Sequence, residues 1–319
     1  MGKGAVAIAA AGFSLSLAAA VCFGLYAVLR RRSALDPWTY TAWFGLVVTG
    51  LGSILWVGLA LTHRLGGPIG LWWVSAESAA VWAGASVAYV LSIDRIGVAR
   101  AGAMKNLAAL FGTIFGLWFA PGPFGAWRGA AALAGSALVV VAAVLLGGAQ
   151  PGAGMPTPVR GGGVDAWGVL AGIAAAAGIG GYLVPALALV DAGGWTLWRY
   201  QAAMAIVGGL LCLLPWMVRH GVRLTTSRVA LPTALPLKAL GAPALAGLVW
   251  FAGSVLVVPG TALAGLAVAW PVSQLGFYVT LVWGIRAYAE MDVASGRGRV
   301  WGAAAVTLLA LLLLGAARA

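Results

Sequence analysis

The sequence predicts an all-α integral membrane protein with ten transmembrane helices arranged as two inverted five-helix repeats. Three observations lead there: a composition too apolar for a water-covered surface, ten apolar runs of spanning length, and an internal echo. Of the 319 residues, 62% are hydrophobic and only 8% charged, with a mean hydropathy of +1.00. A soluble domain keeps about a quarter of its residues charged to face water. This chain cannot, so lipid must cover it, and a single membrane domain over 1–319 is expected.

Each span needs about 20 mostly apolar residues. That ruler gives 5–29, 38–62, 74–93, 97–119, 127–147, 166–190, 195–218, 240–260, 263–287 and 300–316. The first run follows Lys3 and is too long for the core of a signal peptide, so it is read as a span. The third is the least clean, because Trp72, Trp73 and Glu77 crowd its start. The eighth and ninth are separated at Pro259-Gly260-Thr261. The Gly- and Pro-rich stretch 149–164 has no periodicity and reads as a linker between repeat one (about 5–148) and repeat two (about 165–316).

The echo justifies the division. At an offset of 168, Val81-Trp82 matches Val249-Trp250, Ser86-Val87 matches Ser254-Val255, and Val90 matches Val258. Gly97, Ala99, Leu107 and Gly116 fall on Gly265, Ala267, Leu275 and Gly284, and Asn106 falls on Gln274. At an offset of 157, Gly24 falls on Gly181, Trp38-Thr39 on Trp195-Thr196, and Gly52 on Gly209. Five spans per repeat, an odd number, force the halves into opposite orientations, a pattern typical of transporters.

Charge agrees with that inversion. Arg30, Arg31, Arg32, Arg95, Arg100, Arg160, Arg219, Arg223, Arg228, Lys238, Arg286, Arg297 and Arg299 collect on one face, against Lys3, Arg64, Arg128 and Arg318 on the other. The basic face is expected to be cytoplasmic, which places both termini on the extracytoplasmic side of the cell membrane. The net charge of +12 is thereby accounted for without nucleic acid. Trp38, Trp72, Trp73, Trp127, Trp167, Trp195 and Trp301 fall near predicted span ends, where indoles favour the headgroup zone.

Candidate functional residues are polar or aromatic groups well inside spans. Trp82 and Ser86 are four apart and share a helix face, which Tyr89 continues; Trp250 and Ser254 repeat the spacing. They read as two aromatic platforms with a hydroxyl each, or as packing with each Ser bonded back one turn. Asn106 and Gln274 offer amide donors and acceptors suited to hydroxyl-rich ligands, or a hydrogen bond to each other. Trp270-Pro271 precedes Ser273 and Gln274, and a Pro there frees a carbonyl and kinks the helix. Lys105 lies about 11 Å into its span, where a Lys faces the bundle interior or snorkels. Glu77 and Arg199 sit towards the outer side and are candidates for an ion pair or gate. Glu77 is the one carboxylate clearly within a span, so side-chain proton coupling would point to it, but it lies off the Trp82 stripe and reads first as a surface-facing Glu.

Some chemistry is missing. His63, His220, Cys22 and Cys212 do not stand at metal-ligand spacing, and no phosphate loop or paired catalytic carboxylates occur. No metal, cofactor or catalytic residue is expected, nor an enzyme.

The segment Arg95-Ile-Gly-Val-Ala-Arg-Ala-Gly-Ala-Met-Lys-Asn-Leu and its partner Ala267-Val-Ala-Trp-Pro-Val-Ser-Gln-Leu-Gly, continuing to Trp283-Gly and Glu290, carry a resemblance. With the exit from Tyr26 to Arg30-Arg31-Arg32, they resemble the drug/metabolite transporter superfamily, and within it the glucose/ribose porters. The resemblance implies sugar uptake by alternating access, with proton coupling as a companion process. Trp82, Trp250 and Trp270 would then stack on a sugar ring. Asn106, Gln274, Ser86, Ser254 and Ser273 would bond hydroxyls, and Lys105 would orient or select the substrate. An exporter of amino acids or drugs on the same fold is the alternative, and a lipid-linked sugar flippase a third. A membrane scaffold without transport predicts no midplane cavity and an Asn106–Gln274 hydrogen bond.

Overall fold

The structure is a computed structural model and describes residues 3–62, 64, 70–119, 126–147, 165–185, 194–224, 237–288 and 297–318. Among them every regular element is helical. The order is α1 (Lys3–Arg32), α2 (Pro37–Leu61), α3 (Leu71–Ile96), α4 (Val98–Lys105), α5 (Leu107–Phe119), α6 (Ala126–Gly147) and α7 (Ala166–Gly181). Then come α8 (Gly194–Leu211), α9 (Leu214–Leu224), α10 (Leu237–Ala264), α11 (Leu266–Ser273), a 3₁₀ turn (Gln274–Gly276), α12 (Phe277–Tyr288) and α13 (Arg297–Arg318).

Among the described residues seven stretches are long and apolar enough to cross a membrane: Ala10–Arg32, Pro37–Leu61, Leu71–Ile96, Ala126–Leu145, Trp195–Arg219, Ala239–Ala264 and Val268–Tyr288. Two shorter apolar helices, Ala166–Gly181 and Trp301–Leu314, accompany them. The expected span 97–119 is instead two helices broken at Asn106. The expected linker 149–164, and Glu290, lie outside the described residues.

Local chemistry sets the helix ends. The Asp36 carboxylate accepts from the backbone N–H groups of Trp38 and Thr39 at the start of α2, with Pro37 beside it. Such a cap satisfies donors that a first turn leaves orphaned. Asp165 does the same for α7 through the N–H groups of Trp167 and Gly168. Two glycines break helices by a different route. Gly97 (φ 84°, ψ 161°) separates α3 from α4, and Gly265 (φ 80°, ψ 147°) separates α10 from α11. That region of backbone space is almost closed to any residue with a side chain.

The second break corrects an expectation. The boundary placed at Pro259-Gly260-Thr261 does not exist; α10 runs through it with Pro259 inside. Tertiary packing holds the helix across the missing hydrogen bond. A side chain at Gly260 would meet Ser16 Oγ at 2.7 Å, and one at Gly253 would meet Cys22 Cβ at 2.9 Å, so α1 lies directly along this face. In lipid, neighbouring helices tolerate a Pro in this way.

The principal helix pairs are α1 with α10, α3 with α7, α2 with α8 and α6 with α13. Helices α2 and α8 cross at backbone contact: a Cβ at Gly45 would lie 2.4 Å from the Gly209 carbonyl oxygen, and one at Gly209 2.3 Å from that of Gly45. Small residues permit this approach where lipid removes the hydrophobic drive to pack. Tryptophans differ widely in exposure. Trp72, Trp73, Trp127, Trp167, Trp195 and Trp301 are 45–74% exposed, whereas Trp82, Trp250 and Trp270 are at most 4% exposed.

Candidate functional site

Helices α1, α3, α4, α7, α10 and α11 surround small interior cavities that share their walls. One is lined by Phe23, Tyr26, Trp82, Lys105, Ile179, Tyr182, Trp250, Trp270 and Gln274. A second lies beside Lys105, Asn106, Ser273, Gln274, Tyr89 and Thr280. A third, lined by Tyr26, Ser86, Tyr89 and Arg30 among others, leads towards the ends of α1 and α3. Each holds about 10 Å³, room for a single water. This is a closed conformation.

Aromatic rings do the closing. Trp82 and Trp250 pack on each other with ring centroids 4.3 Å apart, tilted by 38°. Phe44 reaches both, at 5.9 Å and 6.2 Å, and Tyr26 stacks on Phe44 at 6.1 Å. Trp270 turns its edge to Tyr182 at 5.6 Å. Its indole N–H donates to the Ala108 carbonyl at 3.1 Å, so its polar edge is satisfied.

The polar groups are less well provided for. Ser273 Oγ donates to the Trp270 carbonyl at 2.7 Å and lies 3.1 Å from Gln274 Nε2, which donates to it. Gln274 Oε1 and Asn106 Nδ2 are buried and have no hydrogen-bond partner among the described residues. The mutual amide hydrogen bond is therefore absent. Both residues sit at helix breaks, Asn106 between α4 and α5 and Gln274 at the 3₁₀ turn after α11. A buried amide atom without a partner costs about 1–3 kcal/mol.

Lys105 ends α4 with its side chain 7% exposed. Its ammonium lies over the rings of Tyr26, Tyr89 and Phe23 at 5.1, 5.2 and 5.7 Å. A desolvated cation–π contact is worth about 2 kcal/mol at best, and a helix C-terminus adds about 0.3–1 kcal/mol. Removing an ion from water costs several kcal/mol. The rings therefore offset only part of the cost. Among the described residues no carboxylate lines these cavities or bridges Lys105.

Of the other predicted site residues, Ser254 is fully buried on α10, and its Oγ has no partner among the described residues. It is not bonded back to Trp250, and it lines none of these three cavities. Ser86 lines the third cavity rather than the one between the tryptophans. Glu77 and Arg199 are not brought together. Glu77 is exposed on α3, while the Arg199 guanidinium donates to the Arg64 backbone carbonyl. Glu77 thus takes the surface-facing reading rather than the ion pair with Arg199: the helical phase of α3 turns position 77 away from the bundle.

Residues beyond those predicted complete the site. Phe23, Tyr26 and Phe44 supply much of its wall, and only the aromatic residues of α2 hint at one of them. Below them, Arg30 bonds Asp94 at 2.5 Å and the Leu35 carbonyl at 2.9 Å, with its guanidinium 4.8 Å from the Tyr40 ring centre. Arg30 is buried and Asp94 partly so. Beside them Arg95 bonds Asp165 at 2.9 Å, and this bond holds the Asp165 carboxyl below the ordinary carboxylate range. Together these contacts tie α1, α2, α3 and α7 at one end.

No protein-family model matches the chain, and no curated protein sequence matches it. A solved crystal structure, described only as that of a protein, superposes on 98% of this chain and 99% of its own, with a TM-score of 0.58 at 19% identity. That likeness extends to the fold alone.

Proposed function

We propose that this chain is a multi-pass membrane carrier that moves a sugar or similar polyhydroxylated metabolite by alternating access. Its membrane domain would consist of ten crossings in two five-helix halves of opposite orientation. One observation carries the reading: a closed interior chamber whose walls join stacking rings to buried amide atoms that lack partners. A scaffold has no use for either unpaired atom, whereas a hydroxyl-rich ligand would satisfy both. Indole faces would take the apolar face of a sugar ring.

The arrangement in two halves is supported by contacts between positions that the sequence echo equates. Trp82 touches Trp250, 168 positions away. Thr49 Oγ1 donates to the Ile206 carbonyl, 157 positions away. A Cβ at Gly102 would meet Thr280 Oγ1 at 2.8 Å, and one at Gly112 would meet Trp270 Cδ1 at 2.0 Å. Each contact turns into the other when both members move by 168 positions. A two-fold axis between the halves produces such exchange. The breaks at Gly97 and Gly265, and at Asn106 and Gln274, repeat at the same offset. The contacts between helix ends also join ends that the ten-crossing topology assigns to one face: Arg30 to Asp94, Arg95 to Asp165, and Arg64 to Trp195.

Thermal unfolding of the detergent-purified full chain tests the cargo, with sugars, amino acids and organic cations as ligands. Sugars should raise the midpoint for wild type and not for a Trp82→Ala/Gln274→Ala variant. Stabilisation by cations or amino acids alone would favour the exporter reading and sink this one.

A further inference from the structure

The two cavities lined by Lys105 contain one basic side chain, to which a neutral sugar offers no ionic partner. Lys105 and Gln274 line both of these cavities and Asn106 lines one of them, and Asn106 Nδ2 and Gln274 Oε1 are buried without partners among the described residues. Its neighbours within cation–π range are three rings, which present π-faces to the ammonium and no carboxylate. Elsewhere in the described chain, buried cationic groups are compensated: Arg30 holds Asp94 and a backbone carbonyl. Lys105 is the exception, and it is placed in the one volume a cargo would enter.

We propose that the cargo itself supplies the missing anion: the chain carries a polyhydroxylated monocarboxylate, a sugar acid rather than a neutral sugar. This rests on the carrier reading above and narrows its substrate class. The Lys105 ammonium and the Asn106 amide N–H would donate to the two carboxylate oxygens. The hydroxyl-bearing body would lie against Trp82 and Trp250, with Gln274 Oε1 accepting from a hydroxyl. Charge selects carboxylate over phosphate. One ammonium balances one negative charge, whereas a phosphate monoester carries about −1.5 to −2 at neutral pH. Asn106 and Lys105 are adjacent in sequence at the break between α4 and α5. The interrupted helix thus sets a charged donor beside a neutral one at the chamber wall.

The test compares gluconate and glucuronate with glucose, and with acetate, by isothermal titration of the purified full chain. Wild type should bind the sugar acids at least about tenfold more tightly than glucose, the margin of one charge-assisted hydrogen bond. Lys105→Gln should bring the two within about threefold of each other, and Lys105→Arg should retain a preference for the acids. Equal binding of glucose and gluconate by wild type overturns the proposal without needing any variant, and leaves the sugar carrier standing. Acid preference undiminished in a folded Lys105→Gln variant overturns it too. Acetate binding as tightly as gluconate overturns the polyhydroxylated body. Binding of amino acids or cations with no response to any sugar or sugar acid removes the carrier reading on which it depends.

Discussion

Arg30 and Asp94 illustrate how much a single pair can hold. Arg30 is buried, and its partner carboxylate fixes the end of α3 to the ends of α1 and α2. Removing one member of a buried pair strands the other, at about 3–5 kcal/mol when both are fully enclosed. Asp94 is 28% exposed, so water relieves part of that, and about 2 kcal/mol is the expected loss for Asp94→Asn. A lower thermal midpoint together with faster cysteine labelling at Tyr40→Cys would show that the contact both stabilises and closes this end. An unchanged midpoint would mean that the pair contributes nothing measurable. At the same scale, Gly112→Val should push Trp270 out of its place, since even a Cβ there would sit 2.0 Å from the indole Cδ1. Overpacking of this kind costs about 1–3 kcal/mol. Quenching of tryptophan fluorescence by a lipid-soluble quencher should rise; an identical quenching curve would place the indole elsewhere.

Elements matter next, because the two broken helices build the chamber. Gly97 and Gly265 let the chain turn sharply between α3 and α4 and between α10 and α11. Gly97→Ala and Gly265→Ala should each destabilise by about 1–3 kcal/mol through backbone strain alone. Gly241→Ala, in a helix with open space around it, should be neutral or stabilising by about 0.5–1 kcal/mol. If all three behaved alike in denaturation, the positive φ angles would not be what makes the breaks. Both breaks were legible as features before they were legible as geometry. Asn106 and Gln274 stand out as amides in apolar runs, and their shared offset marks them as equivalent. Pro271 signalled a kink close to Gln274, but the interruption at Asn106 was not legible, because a run of Ala, Leu and Gly reads the same whether one helix or two cross it. Pro259 misled for the converse reason. Proline breaks an isolated helix, but here α1 packs along α10 and holds the helix through it.

At the scale of the whole molecule, the positive-inside bias predicts that the Arg30–Asp94 end faces the cytoplasm. With Cys22 and Cys212 replaced by serine, Ala34→Cys should resist an impermeant maleimide in intact cells, and Thr62→Cys should react. The reverse pattern would invert the orientation. Labelling of both from outside would break the alternation of crossings on which the ten-span topology rests. The proposed carrier function would require the interior cavities to open. Trp82 and Trp250, now 4.3 Å apart, must separate before anything larger than water can enter.

The sequence alone settled the solvent. With 8% of its residues charged, the chain has to be covered by lipid, and hydrocarbon leaves helices as the economical way to satisfy its backbone. It also marked which tryptophans belong at helix ends and which in the interior, because the echo and span positions separate the two sets. Only the tertiary structure decided which polar groups meet. It separated Glu77 from Arg199 and left Asn106 and Gln274 facing a shared cavity without bonding each other. It also set Lys105 among three rings rather than beside a carboxylate. Those outcomes depend on helix phase, on backbone breaks at two glycines of positive φ, and on distances between segments more than a hundred residues apart. Hydropathy and spacing constrain each helix along its own axis, and a binding site is made across axes.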